Sequence, residues 1–291
     1  MRIRASLCTA AVLSTLTWSA HSAQAEWIEA GSESRALAST RSESNAGGSN
    51  PTNAPQKLTI SGPESLAQVR LANELLYSDL QNFVCDETIE RYKGALGGVE
   101  GRRIDTVLTQ VSFENGIEHY TNIRRNSKSL LGIASLSGAW SEGEYGTLLR
   151  QTQALLGSHV VLLRAKTQLN GVATALYRFE VSEQESPWDL EVEASHYHVP
   201  FRTDVWVSLS SGQILKIERT STAIPLETRI SEVRWSVSLH TVELNGNTWL
   251  LPNTGEYEVI YEESHRREWN LMTFSDYHRY GSEVALQFES K

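Results

Sequence analysis

The sequence predicts a mainly β domain of the α+β kind, built on a large curved antiparallel sheet of about eleven strands. Three observations predict it. Apolar residues recur with a period of two over most of the chain after Phe83. Pairs that favour tight hairpins, such as Asn170-Gly171 and Asn245-Gly246, fall between the alternating runs. Stretches of helical period are few, which leaves little room for the crossovers a parallel sheet requires.

The composition fits such a domain. With 291 residues, 40% hydrophobic and 21% charged, the chain has an ordinary globular balance. That balance excludes collagen-like, disulfide-dense and wholly disordered classes. A net charge of −9 gives no electrostatic reason to bind nucleic acid or an anionic membrane.

The first element expected is an address. Arg2 and Arg4 precede a short apolar stretch from Ala5 to Ala20, and Ser22-Ala23-Gln24-Ala25 has the A-x-A form of a cleavage site. Residues 1–25 therefore read as a secretory signal peptide, too short and too hydroxyl-rich for a membrane anchor. Cys8 has no apolar run before it and does not read as a lipid-attachment site. Cleavage would leave 24 basic against 35 acidic residues, a net charge of −11, and a mature chain that is periplasmic or outer-membrane-associated. Cys85 would then be the sole thiol, unable to close an intramolecular disulfide, and Phe83-Val84-Cys85 places it at a strand start as a buried, inert side chain.

Residues 26–57 are rich in Ser, Ala, Gly, Asn and Thr and read as a flexible leader, with a single domain over 58–291. Ser61-Gly62-Pro63-Glu64 is a capping box with Pro in the first turn. The helix it announces carries Leu66, Val69, Ala72, Leu76 and Leu80 on one face, widened by Leu75 and Phe83. Gln68, Arg70, Asn73, Glu74 and Asp79 form its polar surface.

Strands are expected near 84–94, 102–114, 117–125, 159–169, 172–183, 190–199, 203–209, 213–222, 230–244, 247–262 and 265–288, the last breaking near Gly281. Ala173, Ala175, Tyr177, Phe179 and Val181 share one face. Tyr257, Val259 and Tyr261 do the same against three glutamates, and Trp269 and Leu271 oppose Glu268 and Asn270. Between Asn126 and Gly157 the alternation stops. A Gly/Ser-rich apolar loop with Leu130, Leu131, Ile133, Leu136 and Trp140 runs into a second helix carrying Tyr145, Leu148, Leu149 and Leu155-Leu156. Such a segment either forms a lid over a hollow sheet or plugs its core.

Enzymatic signatures are missing. There is no G-x-S-x-G elbow, no P-loop, no dinucleotide fingerprint and no cysteine zinc pattern. His196 and His198 share a strand face without an evident third ligand, and the acidic runs read as solvated strand surface. No cofactor and no metal is expected.

The run from Thr203 to Ile217, a strand, a Ser-Ser-Gly turn and an apolar-apolar-basic strand, resembles a hairpin of the lipoprotein-carrier superfamily. That group includes the periplasmic lipoprotein-sorting carrier, its outer-membrane receptor and a periplasmic regulator of envelope-stress signalling. Leu80–Cys85 with Arg91-Tyr92, Gly143–Gly146 with Leu148–Arg150, and Phe274–Tyr280 are similar to secreted proteins of soil bacteria of the Acidobacteria type. The resemblance spans most of 60–290. It implies an unclosed half-barrel, helices across its concave face and an apolar cavity between them.

Two functions follow as expectations. The first is a non-enzymatic binding protein that shelters a lipid or a lipoprotein acyl chain. Its lining is expected from Leu130, Leu131, Ile133, Leu136, Trp140, Leu148, Leu149, Trp206, Trp235, Tyr257 and Trp269. The second is an envelope sensor or assembly factor with a packed core, acting through protein–protein contacts.

Overall fold

A computed structural model describes residues 2–7, 63–81, 83–98 and 101–279. Eleven strands form one antiparallel sheet that does not close into a barrel. Across the sheet they are β5 (Lys128–Ser129), β4 (Ile117–Arg125), β3 (Arg102–Glu114), β2 (Phe83–Ala95), β15 (Arg266–Arg279), β14 (Asn247–Tyr261), β13 (Ile230–Leu244), β12 (Ile214–Ser221), β11 (Phe201–Ser208), β8 (Val172–Val181) and β7 (Leu162–Leu169). Three Asn-Gly pairs make the two-residue turns expected of them. Asn115-Gly116, Asn170-Gly171 and Asn245-Gly246 all adopt positive φ, the conformation that matches strand twist in a hairpin.

One face of this sheet is covered. Helix α1 (Pro63–Leu80) buries Val69, Leu76 and Leu80, and helix α2 (Thr147–Leu155) buries Leu148, Leu149 and Leu155. The rest of the cover is a second, four-stranded sheet in the order β10 (Ser195–His198), β9 (Trp188–Val192), β1 (Arg2–Leu7) and β6 (Gly138–Ser141). The alternating pattern does not announce this small sheet. Its strands are short, and β1 pairs with β6 and β9 over long sequence distances.

Several expectations change. The strand expected over 190–199 is a hairpin, β9–β10, because Glu193 takes φ 60° and turns the chain. Leu75 is exposed rather than part of the helix stripe, and Asn73 is fully buried rather than at the surface. The Asn73 amide donates to the Gly212 carbonyl at 3.0 Å, and its oxygen accepts from the Ile214 N–H at 2.8 Å. It fastens α1 to the β11–β12 turn, where Gly212 sits at φ +73°.

The expected leader at 26–57, the capping residues Ser61 and Gly62, and the expected break near Gly281 lie outside the described residues. Within the segment read as a signal peptide, β1 pairs in parallel with β6 and antiparallel with β9. Its Ile3 and Ala5 are buried. Among the described residues no helix is long and apolar enough to cross a membrane.

Candidate functional site

The register of the large sheet aligns one residue from each of eight neighbouring strands into a transverse row on the covered face. It runs Phe179, Thr203, Arg219, Trp235, Tyr257, Asn270, Arg91, Asp105. All eight are buried. A core row would ordinarily be apolar, so two arginines here call for a physical account. Arg91 is neutralised. Its Nε and Nη2 donate to the two Asp105 carboxylate oxygens, each at 2.6 Å, and its Nη1 donates to the Ser137 carbonyl at 2.7 Å. Arg219 has no such partner, and burial lowers its pKa to about 9.

The segment from Ser129 to Leu156 lies over this face as the core's cover, folded as a short 3-10 turn at Ile133–Ser135, then β6 and α2. Ile133, Leu136, Trp140, Leu148 and Leu149 are all buried beneath it, Leu130 is partly buried and packed against the core, and Leu131 is fully exposed. Trp235 and Tyr257 lie on the covered face, edge to face at 6.2 Å. Trp206 and Trp269 stand on the outer face instead. Trp206 carries the Lys216 ammonium 4.9 Å over its ring, and Trp269 stacks on Tyr92 at 5.4 Å with the Arg267 guanidinium on it. Asn270 takes the inward place beside Trp269 because its amide donates to the Ala139 carbonyl of the cover at 3.0 Å. Alternation separates two faces without saying which one is covered.

Beneath Ile133–Ser141 the two layers enclose a crevice of about 10 Å³ lined by Ile89, Arg91, Ile133, Leu136, Trp140 and Met272. That volume holds at most one water, so the closed cover leaves no room for an acyl chain there. Larger openings lie on the outer face and are polar. One groove of about 360 Å³ runs along Arg202, Glu218, Arg234, Glu256 and Glu258, charges already tied by ion pairs such as Arg267–Glu258 and Arg234–Glu258.

A second polar cluster sits at the N-terminal end of α2. Glu118 on β4 accepts from the Gly146 and Thr147 amides at 2.8 and 2.9 Å, capping the helix with a carboxylate where its dipole favours one. Tyr120 donates to the other Glu118 oxygen. Glu144 and Glu87 are buried close by, and Ser141 donates to Glu144. Burial pushes the Glu144 carboxyl up to about 8, with the Glu118 charge adding to it, and pushes Glu87 well above the usual carboxylate range. The Trp235 indole N–H closes no hydrogen bond of normal geometry, yet it lies near enough to Glu144 to favour the ionised form somewhat. Glu144 therefore favours its protonated form at neutral pH.

Cys85 is buried, and burial raises its thiol, so it is unreactive in this fold. His196 is exposed and hydrogen-bonded to Asp189 at 2.8 Å, which raises its pKa. Among the described residues no group of three or more His, Cys, Asp or Glu side chains is placed to hold a metal ion.

No family model and no curated protein matches the sequence. Solved structures similar to the chain include a DUF1329 family protein from Desulfovibrio piger, at 10% identity and TM-score 0.37, covering 77% of this chain and 93% of that one. A putative outer membrane lipoprotein-sorting protein domain from Vibrio parahaemolyticus matches at 9% identity and TM-score 0.34, with the same coverages of 77% and 93%. The Mycobacterium tuberculosis lipoprotein LppX matches at 12% identity and TM-score 0.26, covering 75% and 96%. TM-scores below 0.5 fix neither the family nor the function of this chain. The fold rests on the eleven-stranded sheet itself.

Sequence reasoning gave no site role to Arg91, Arg219, Glu87 and Glu144, and it set the buried Asn73 on the helix surface. A signal for them exists. Cys85, Glu87, Ile89 and Arg91 share one phase of a strand, as do Ile217 and Arg219, so a charge standing in an apolar phase marks a polar group that the fold buries on purpose.

Proposed function

We propose that this protein is an exported, non-enzymatic binding protein that takes the apolar chain of a lipid or lipidated protein against the covered face of its large sheet. The segment 129–156 moves aside to admit the chain. The observation that carries this reading is how the cover is attached. Between Leu131 and Gly146 no strand ladder joins it to the eleven-stranded sheet; β6 pairs with β1, in the other sheet. Its hydrogen bonds to the large sheet run through side chains: Arg91 to the Ser137 carbonyl, Asn270 to the Ala139 carbonyl, the Ala139 N–H to Glu268 at 2.9 Å, the Gly143 N–H to the Tyr120 hydroxyl at 3.1 Å, and the Gly146 N–H to Glu118. Its underside is apolar, so an acyl chain that replaces Ile133, Leu136 and Trp140 restores the burial their departure removes, at about 25 cal/mol per Å².

The purified protein should take up a fluorescent long-chain fatty acid and release it to unlabelled oleate. It should also carry lipid in native mass spectrometry when isolated from an envelope fraction. An unchanged probe signal together with a ligand-free mass overturns the reading.

A second reading draws on β7, an edge strand with Val160, Leu162, Leu163 and Val172 exposed on or beside it. A partner protein that adds a strand there makes the molecule an assembly factor. Crosslinks from residues 162–169 to one envelope protein, with no lipid bound, favour that alternative.

A further inference from the structure

Three arginines of the large sheet present the same two-nitrogen edge, and two of them are satisfied. Arg91 closes Nε and Nη2 on Asp105 at 2.6 Å each, and Arg178 closes the same pair on Asp204 at 2.6 and 2.7 Å. Arg219 is 0% exposed, and its Nε and Nη2 have no acceptor. Its single hydrogen bond runs from Nη1 to the Gln151 Oε1 of α2 at 3.3 Å. The guanidinium otherwise lies 4.1 Å over the Phe201 ring and 5.9 Å from that of Trp188.

Its surroundings are short of acceptors too. Gln151 Nε2, the Thr203 hydroxyl across the strand pair and the Trp188 indole N–H are buried without partners. Packing alone does not call for this arrangement, since an apolar side chain of similar volume would fill the space without an uncompensated charge. A planar carboxylate offers two oxygens to a guanidinium edge and one negative charge to a single positive one.

We infer that Arg219 is the receptor for the carboxylate head group of a fatty acid, its free Nε/Nη2 edge taking both oxygens while Thr203 and Gln151 donate beside it. This rests on the apolar-ligand reading and adds the polar end of the ligand to it. Arg219 lies beneath α2, so the displacement of 129–156 that admits the chain also opens the way to the guanidinium. Arg91, further along the row, is already neutralised by Asp105, which leaves Arg219 as the cation that receives the anion.

The test titrates the full chain with oleate and with methyl oleate, following tryptophan emission, to which Trp188 and Trp235 beside Arg219 contribute, and the melting temperature. Oleate should bind at least tenfold more tightly than its ester and raise the melting temperature further. Arg219→Met should remove that preference, leave ester affinity within about twofold and melt no lower than the parent; Arg219→Lys should keep part of the preference. Equal affinity of the parent chain for acid and ester, or an undiminished preference in Arg219→Met, overturns this inference while the apolar-ligand reading stands. Failure of both compounds to bind overturns that reading and this one with it. If Arg219→Met does not fold, the acid–ester comparison on the parent chain decides alone.

Discussion

Arg91 and Asp105 face each other on adjacent strands and close a two-pronged ion pair, 2.6 Å at each nitrogen, with the third arm of the guanidinium on the Ser137 carbonyl of the cover. One side chain thus joins the sheet's core to the segment proposed to move. Removing Asp105 strands a buried cation, a change that costs about 3–5 kcal/mol in proteins.

Asp105→Ala should therefore lower the urea midpoint by that order of stability. It should also speed amide exchange in residues 133–141 beyond the global effect, because the latch on Ser137 loses its orientation. Unchanged relative exchange in that stretch would show that the cover is held elsewhere.

Asn73 ties α1 to the β11–β12 turn through two hydrogen bonds. Asn73→Ala leaves the Gly212 carbonyl and the Ile214 N–H without their partner in a buried setting. At about 1–3 kcal/mol for each of the two orphaned groups, the variant should lose roughly 2–6 kcal/mol, read from chemical denaturation. Gln68→Ala, on the exposed side of the same helix, should fall within about 0.5 kcal/mol of the parent.

The buried carboxyls set a pH dependence whose sign is fixed. Glu144 titrates at about 8 in the folded chain, with Glu87 raised as well, against about 4.3 when unfolded. Between those values the folded state binds protons that the unfolded state has lost, so this contribution to stability falls as pH rises from about 4.5 and levels off above about 8. The urea midpoint should be higher at pH 5 than at pH 8, and Glu144→Gln should flatten the profile. A profile that rises over this range in the parent chain would mean the carboxyls are ionised when folded.

Strand β1 gives the expected export signal a measurable consequence. Ile3 and Ala5 are buried, and Arg4 pairs with Glu142 while lying 5.1 Å over the Trp140 ring. A chain starting at residue 26 loses these contacts and both ladders of β1. Burial of the Ile side chain alone is worth about 1.5–3 kcal/mol. Such a chain should melt below the full chain, with faster amide exchange in 138–141 and 188–192. Identical melting would show that β1 contributes nothing to the domain. Intact-mass analysis of exported protein checks the cleavage itself, a start at Glu26 being the expected result.

Legibility differed by element for physical reasons. Strands over 84–125 and 159–262 were readable because the alternation has a period of two and the Asn-Gly turns impose their own backbone geometry. The β9–β10 hairpin was not, because Glu193 adopts positive φ without glycine to announce it. Asn73 was misplaced because its partners, Gly212 and Ile214, lie about 140 residues away in sequence. Trp269 was assigned inward and Asn270 outward because both faces of β15 carry apolar residues.

The sequence by itself determined a mainly β chain, the hairpins of its large sheet, an amphipathic α1 and an apolar break at 126–157, since these follow from residue periodicity and turn chemistry acting over a few neighbours. The tertiary structure decided which face was covered, that the break closes that face with α2 and a small sheet, and that Arg219 stands in the same row as Arg91 without a carboxylate. Those outcomes depend on register between strands far apart in the chain. Register is set by burial of whole faces against one another, a quantity no local window contains.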